Sequence, residues 1–286
     1  MSINLHAVLW PIHDWPTMRS HWRGAEEMGF AGGWIYDHLA WRGHMPWDDA
    51  YASLAAAATV TSTLRLGTLV TSPNFRTPVP TASAIRTIDR ISGGRLTVGI
   101  GAGGDSPTSD GLVLGREWTP RERADRFAEY VAQLDALLGG VGVSVTGEHW
   151  TAVEAPVGAG LVQQPRPPFW IAAGGPRGVR IAAHYGQGWV ANPSSETPYL
   201  EVRTQVERFE AACDGVGRDS HAVPRLLLTG FTEEPWLESV DAFEDLAGRY
   251  AELGITDIAI HWPRPDSDWD SDPAVFEAIA ERHPRG

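Results

Sequence analysis

Apolar and polar residues alternate along this chain in two rhythms. Short apolar runs bounded by glycine, proline or charge occur at residues 5–10, 33–36, 64–71, 96–100, 169–172, 188–191, 225–229 and 257–261; these read as strands. Between them, residues 17–28, 50–61, 78–91, 120–138, 176–185, 199–213, 236–253 and 272–281 read as helices, several with clear apolar spacing of three and four. The boundaries carry their own chemistry. Gly29 closes the first helix, Asp48 or Asp49 opens the second, and Pro78 or Pro80 opens the third, a normal place for proline. The order strand, helix, strand, helix repeats eight times, which predicts a parallel sheet closed into a (β/α)8 TIM barrel.

One interval breaks the rhythm. Residues 141–145 and 150–153 flank Gly147 as a small hairpin, and Pro165-Arg166-Pro167-Pro168 stiffens the return. Residues 140–167 therefore read as an insertion after the fourth β/α unit, within one barrel domain spanning 1–286. A doubly wound nucleotide-binding sheet would carry its glycine fingerprint after the first strand. Pro11-Ile12-His13 stands there instead, which argues against that fold.

Residues 91–104 hold the densest local signal. Ser92-Gly93-Gly94 stops the helix that runs through Ile85, Ile88 and Ile91, because glycine takes the left-handed conformation of a helix end. Leu96, Val98 and Ile100 then alternate with Thr97, Gly99 and Gly101. A strand face made of glycine lets another group approach the backbone closely. The Gly101-Ala102-Gly103-Gly104 turn that follows leaves its amides accessible.

Composition narrows the functional classes. The net charge of −13 comes without any basic block, which argues against a general nucleic-acid binder; a few arginines and backbone amides still suffice for a local phosphate. Cys213 is the sole cysteine, in an apolar helical stretch, so it reads as a buried residue and offers no disulfide. His6, Pro11, His13 and Asp14 interrupt any apolar N-terminal run, and no window is long and apolar enough for a membrane span. A cytoplasmic protein without a membrane partner is expected. The 13 tryptophans hint at aromatic-lined clefts.

Barrels of this type place chemistry at the C-terminal ends of their strands. Asp37-His38 is the most polar pair at such a position. A carboxylate beside an imidazole suits proton transfer, though a helix cap or loop hydrogen bond would use the same residues. His44, His149 and His261 read as surface or loop histidines, and no metal-binding spacing is present. Ala172-Ala173-Gly174-Gly175-Pro176 opens a helix. A helix start favours an anion, and Arg177 and Arg180 lie close by to add charge; a plain glycine turn with solvated arginines is the alternative.

Several of these segments together resemble the bacterial luciferase-like superfamily, and most closely the branch that uses the deazaflavin coenzyme F420. They are Gly29-Phe30, residues 34–38, residues 66–71 with Arg76 and Pro78, residues 89–103, residues 171–175 and residues 186–189. The resemblance implies a deazaflavin across the barrel mouth, with FMN as the alternative cofactor. It implies a phosphate site at Gly174, Gly175 and the following helix start, near Ala172, Ala173 and Arg177. It implies a bulge after Thr68 with a cis peptide at Leu69-Val70 under the ring, and Asp37 near the ring system. Gly99 and Gly101 then read as space made for that ring, and Gly101 and Gly103 as cofactor-binding positions. His38 matches a histidine that some members use in proton transfer, with Asp37 to orient it. Trp10, Trp41 and Trp47 are expected to wall a substrate cleft, or to pack at the barrel top. Sugar-phosphate dehydrogenases of the family place a glutamate where Gly104 stands; Asp105 follows it here, which speaks against a sugar phosphate.

The expected function is therefore hydride transfer between F420 and a small organic substrate. The alternatives are an FMN-dependent monooxygenase using oxygen and a non-enzymatic flavin binder. The missing basic block for a polyglutamate tail favours FMN, while the resemblance as a whole favours the deazaflavin. Members of that family often dimerise, so the resemblance brings a homodimer into view, while the sequence itself shows no clear interface and leaves the oligomeric state open.

Overall fold

A computed structural model describes residues 3–41, 43–104 and 110–285. The chain runs β1 (Asn4–Leu9), α1 (Trp15–Glu27), β2 (Gly32–Ile35), α2 (Ala50–Ala58), β3 (Arg65–Thr68), α3 (Pro78–Ser92) and β4 (Leu96–Gly101). It continues through α4 (Asp110–Leu114), α5 (Pro120–Gly139), β5 (Val143–Thr146), β6 (Thr151–Ala155), β7 (Phe169–Ala172), α6 (Pro176–Tyr185) and β8 (Gly188–Ala191). The last elements are α7 (Pro198–Asp214), β9 (Arg225–Leu228), α8 (Val240–Glu252), β10 (Asp257–His261) and α9 (Pro273–Arg282). Parallel strands in the order β1-β10-β9-β8-β7-β4-β3-β2 close into a barrel, and β5-β6 form the inserted antiparallel hairpin. The expected TIM barrel with an insertion after the fourth β/α unit is what forms.

Local sequence explains the boundaries. Asp14 caps α1 by accepting from the Thr17 N–H at 3.1 Å, and Asp49 caps α2 from Ala52 N at 2.9 Å. Thr119 and Glu122 form a reciprocal capping box at α5. Gly93 ends α3 at φ 64°. Some boundaries depart from expectation. The short helix α4 carries no apolar repeat to announce it. Helix α8 begins at Val240, with Ser239 as its cap, rather than at 236. Among the described residues, no helix is long and apolar enough to cross a membrane.

The barrel interior is plugged at its N-terminal end by His6, Trp34, Trp170 and Asp257. Trp34 Nε1 donates to His6 Nδ1 at 3.0 Å, so the imidazole carries its proton on Nε2, 2.8 Å from Asp257 Oδ1. Gly67 yields its side-chain position to the Trp34 ring.

Strand β3 is shorter than the apolar run 64–71 suggests, and the reason positions the site. Regular pairing stops at Thr68, the Leu69–Val70 peptide is cis, and Thr71 rejoins β4 by a bridge to Ile100. Thr71 N donates to Gly99 O at 2.8 Å, and Gly101 N donates to Thr71 O at 2.9 Å. The intervening residues bulge over the glycine face of β4. A Cβ on Gly99 would lie 1.9 Å from the Thr68 carbonyl oxygen, and one on Gly101 would lie 2.6 Å from Val70 Cγ2. The space at Gly99 and Gly101 is thus filled by the bulge itself, which corrects the reading of those glycines as room for a ring.

Candidate functional site

The C-terminal ends of the strands surround a cavity of about 850 Å³. One wall is the bulge, Leu69 and Val70, with Gly101, Ala102, Gly103 and Gly104 beside it. A second is the segment from Ala172 through Gly178. A third is aromatic: Tyr36, Trp41 and Phe231, with His38 among them. Ala124 and Phe127 on α5 and Gln205 on α7 complete the far side.

His38 lies on this wall with 18% of its side chain exposed. Its Nδ1 is 3.1 Å from Asp110 Oδ2, while Asp110 Oδ1 accepts from the Leu39 N–H at 2.6 Å. Asp110 is itself buried. A carboxylate that receives both a backbone N–H and an imidazole nitrogen fixes the ring's orientation and leaves Nε2 as the exchangeable site. The His38 ring lies nearly parallel to Trp41, with centroids 6.3 Å apart.

Asp37 has no hydrogen bond to His38, which corrects its expected orienting role. It is fully buried, off the cavity wall, in a polar clamp behind it. Arg76 reaches Asp37 Oδ1 at 2.6 Å through Nη2 and Oδ2 at 3.1 Å through Nε, and reaches Asp49 at 2.7 Å. Thr71 donates to Asp37 Oδ2 at 2.8 Å, and its oxygen lies 2.9 Å from the Tyr51 hydroxyl. Burial pushes the Asp37 carboxyl upward, with Arg76 and Thr71 pulling against it. Burial also works to lower Arg76, but Asp37 and Asp49 raise it above its ordinary value. Since Thr71 is the residue that ends the bulge, this clamp ties β2 to the cavity wall.

The other expected residues sort as follows. Leu69, Val70, Gly101, Gly103, Ala172, Ala173, Gly174, Gly175, Arg177 and Trp41 all line the cavity. Thr68 does not; it is buried, with Oγ1 donating to Gly99 O at 2.9 Å. Trp10 is fully buried behind the wall, with Nε1 donating to Trp262 O at 2.9 Å and its ring stacked on His261. Trp47 packs against Trp41 from outside the cavity. Asp105 lies outside the described residues. His261 is a correction of another kind. It is buried at the end of β10, and its Nε2 is 2.7 Å from the Tyr36 hydroxyl. Burial lowers its pKa to about 3, so it stays neutral there.

Helix α6 starts with Gly175 as its cap and Pro176 first, without any side-chain cap. The N–H groups of Arg177 and Gly178 have no carbonyl one turn earlier in the helix to bond. A Cβ on Gly175 would meet nothing within 4 Å, so the backbone there is open to a ligand. Arg177 is half-exposed and paired with Asp125. Asp110, Tyr36 and Gln205 were not picked out from the sequence. Tyr36 stands at a strand end and could have been found by that rule; Asp110 and Gln205 had no local signal.

A family model described as luciferase-like monooxygenase matches residues 7–272. An F420-dependent glucose-6-phosphate dehydrogenase of Amycolatopsis mediterranei (strain U-32) is 36% identical over 172 residues, covering 58% of this chain and 50% of that protein. A 5,10-methylenetetrahydromethanopterin reductase of Methanopyrus kandleri is 28% identical over 284 residues, covering 94% of this chain and 76% of that protein. The chain spans about half the length of the first curated relatives it matches. The solved coenzyme F420-dependent tetrahydromethanopterin reductase from Methanopyrus kandleri superposes with a TM-score of 0.77 at 21% identity, covering 98% of this chain and 97% of that one. That likeness establishes the shared fold.

Proposed function

Because the chain belongs to the luciferase-like monooxygenase family, we propose that it is an F420-dependent oxidoreductase acting on a small organic substrate. We take it to work as one barrel domain over residues 1–286 in the cytoplasm. The observation that carries this reading is the pairing of two features on one cavity. His38, held at Nδ1 by a buried carboxylate, sits on a wall of about 850 Å³ of space, enough for a tricyclic ring with a substrate beside it. Relatives named for F420 support the choice of cofactor.

The residues present fit a deazaflavin. Val70 and Leu69 offer an apolar shelf, and Ala102, Gly103, Ala172 and Ala173 keep the adjoining walls low. The open backbone at Gly175 and the start of α6 suit the phosphate. When bound, the deazaflavin supplies two-electron hydride chemistry at a ring carbon. The chain's own residues then have distinct tasks. His38 takes or gives a proton at Nε2, and Asp110 holds the imidazole in place while it does so. Trp41 and Phe231 exclude water from the aromatic side. Asp37, Arg76 and Thr71 hold the bulge that carries Leu69 and Val70, a supporting role in place of the orienting one expected for Asp37.

Fluorescence titration of the purified protein with F420 and, separately, with FMN tests the reading. Saturable quenching with F420 is expected, together with turnover that His38→Ala abolishes while binding persists. Tight FMN binding with no F420 binding would reverse the cofactor assignment in favour of the monooxygenase alternative.

A further inference from the structure

Arg177 and Asp125 join α6 to α5 at the rim of the cavity. Arg177 lines the cavity from the first turn of α6, and its side chain is 48% exposed. Its Nη2 donates to Asp125 Oδ1. Asp125 follows Ala124, which lines the cavity from α5. The hydrogen bond from Arg177 holds its carboxyl below the usual range, and the charges of Arg177 and Arg121 act in the same direction. Among the described residues on the cavity wall, Arg177 is the one permanent cation, and a carboxylate already occupies it.

Two features make that pairing exchangeable. Arg121, one turn earlier on α5, brings its Nε to 3.8 Å from Asp125 Oδ2. A carboxylate released by Arg177 therefore still lies beside an arginine. The Asp125 side chain is also 39% exposed, and an ion pair this open to water is held weakly. The N–H of Arg177 belongs to the unbonded groups at the start of α6. An anion there meets those N–H groups and lies within reach of the same residue's guanidinium, whereas Asp125 receives only the guanidinium from α6. Phosphate also accepts the paired N–H groups of a guanidinium at two oxygens.

We infer that Asp125 is a built-in competitor of the ligand's phosphate for Arg177. Asp125 holds the guanidinium at the cavity rim until the phosphate takes it over, and Asp125 then turns to Arg121. The carboxylate thereby sets cofactor affinity without touching the cofactor. The inference rests on the start of α6 being the phosphate end of a deazaflavin or flavin site, as proposed above. The glutamate carboxylates of F420 are the other source of anionic oxygen at this rim.

The test compares the protein with Asp125→Asn, Arg177→Met and the double variant by fluorescence titration at low salt. The ligands are F420, F420 stripped of its glutamates, and the phosphate-free deazaflavin that ends at the ribityl chain; FMN and riboflavin form the matching pair if the cofactor is FMN. Asp125→Asn should tighten the phosphate-bearing ligands about threefold and Arg177→Met should weaken them about threefold, with the phosphate-free ligand unchanged in both. The double variant should behave as Arg177→Met alone, because freeing Arg177 gains nothing once it is gone. Tightening that persists in the double variant would reduce Asp125 to a general repulsive charge and overturn the exchange. Unchanged or weaker binding by Asp125→Asn would overturn it as well. An equal change for the phosphate-free ligand would reduce the pair to a structural tie between α5 and α6. An effect on F420 that vanishes with its glutamates would overturn the phosphate assignment in favour of the tail. No binding of any ligand by the unsubstituted protein would bring down the cofactor reading and this inference with it.

Discussion

Replacing Arg76 by methionine isolates the clamp behind the cavity. Asp37 is fully buried, and Arg76 supplies two of its hydrogen bonds and the charge that compensates it. At an effective dielectric near 20, two unit charges about 4 Å apart attract by about 4 kcal/mol. Burial already holds the Asp37 carboxyl above its ordinary value, and removing the guanidinium takes away the strongest group pulling it down, so its pKa moves further up. The pH dependence identifies the mechanism. In Arg76→Met the folded pKa of Asp37 lies above the unfolded one. Stability is then fully present below the unfolded pKa and is lost as pH rises through the folded value. The deficit measured by urea unfolding should be about 4 kcal/mol at pH 7 and smaller at pH 5. Adding Asp37→Asn to the variant should flatten this dependence. A deficit below about 1 kcal/mol that does not change with pH would show that Asp37 and Arg76 are solvated rather than locked together.

Three further substitutions probe other parts of the molecule. Gly99→Ala would place a Cβ 1.9 Å from a backbone oxygen that cannot rotate away; a loss of at least about 3 kcal/mol in chemical denaturation is expected, and a loss under about 1 kcal/mol would refute the packing role. Burial works to raise the Glu26 carboxyl, but the N–H groups of Thr63, Leu64 and Ser62 hold it down at about 2, against 4.5 for the free group. Its stabilisation is therefore full above pH 4.5 and lost as pH falls through about 2. Allowing for solvent screening, Glu26→Gln should cost about 1–2 kcal/mol at pH 7 and almost nothing at pH 2. Asp110→Asn keeps the side chain's shape but removes the charge facing His38; kcat/KM should fall about tenfold with F420 affinity unchanged, measured by steady-state kinetics and titration.

The barrel was legible because each of its strands is a short apolar run set off by glycine, proline or charge, and because Asp49, Thr119 and Asp272 announce helix starts. What stayed hidden was what depends on contacts between distant segments. Leu69 and Val70 are apolar whether they continue a strand or bulge out of it, so periodicity alone overextended β3. Asp110 meets His38 across 72 residues, and in a short polar stretch it looks like any loop acid. The sequence made Asp37 the partner of His38 by adjacency, yet neighbouring residues at a strand end point to opposite sides. That alternation sends Asp37 to Arg76 and leaves His38 on the cavity.

The glycines separate by the same logic of what stands opposite each one. Gly67 gives its side-chain position to the Trp34 ring, Gly99 to the Thr68 carbonyl, Gly101 to Val70 and Gly174 to the Gln205 amide. Each of these is occupied by the protein and serves packing. Gly175 alone among these five has nothing within 4 Å of its missing Cβ, and it caps a helix whose first N–H groups need an acceptor. A glycine-rich stretch is therefore no measure of ligand access by itself. In this chain the glycines of β4 shape the site indirectly, by letting the bulge of β3 settle over them and present Leu69 and Val70. The backbone left open for the proposed phosphate is at Gly175. On the proposed reading, the ring end and the anion end of the cavity come from two different uses of the same residue, glycine that yields its place to a bulge and glycine that leaves its backbone bare.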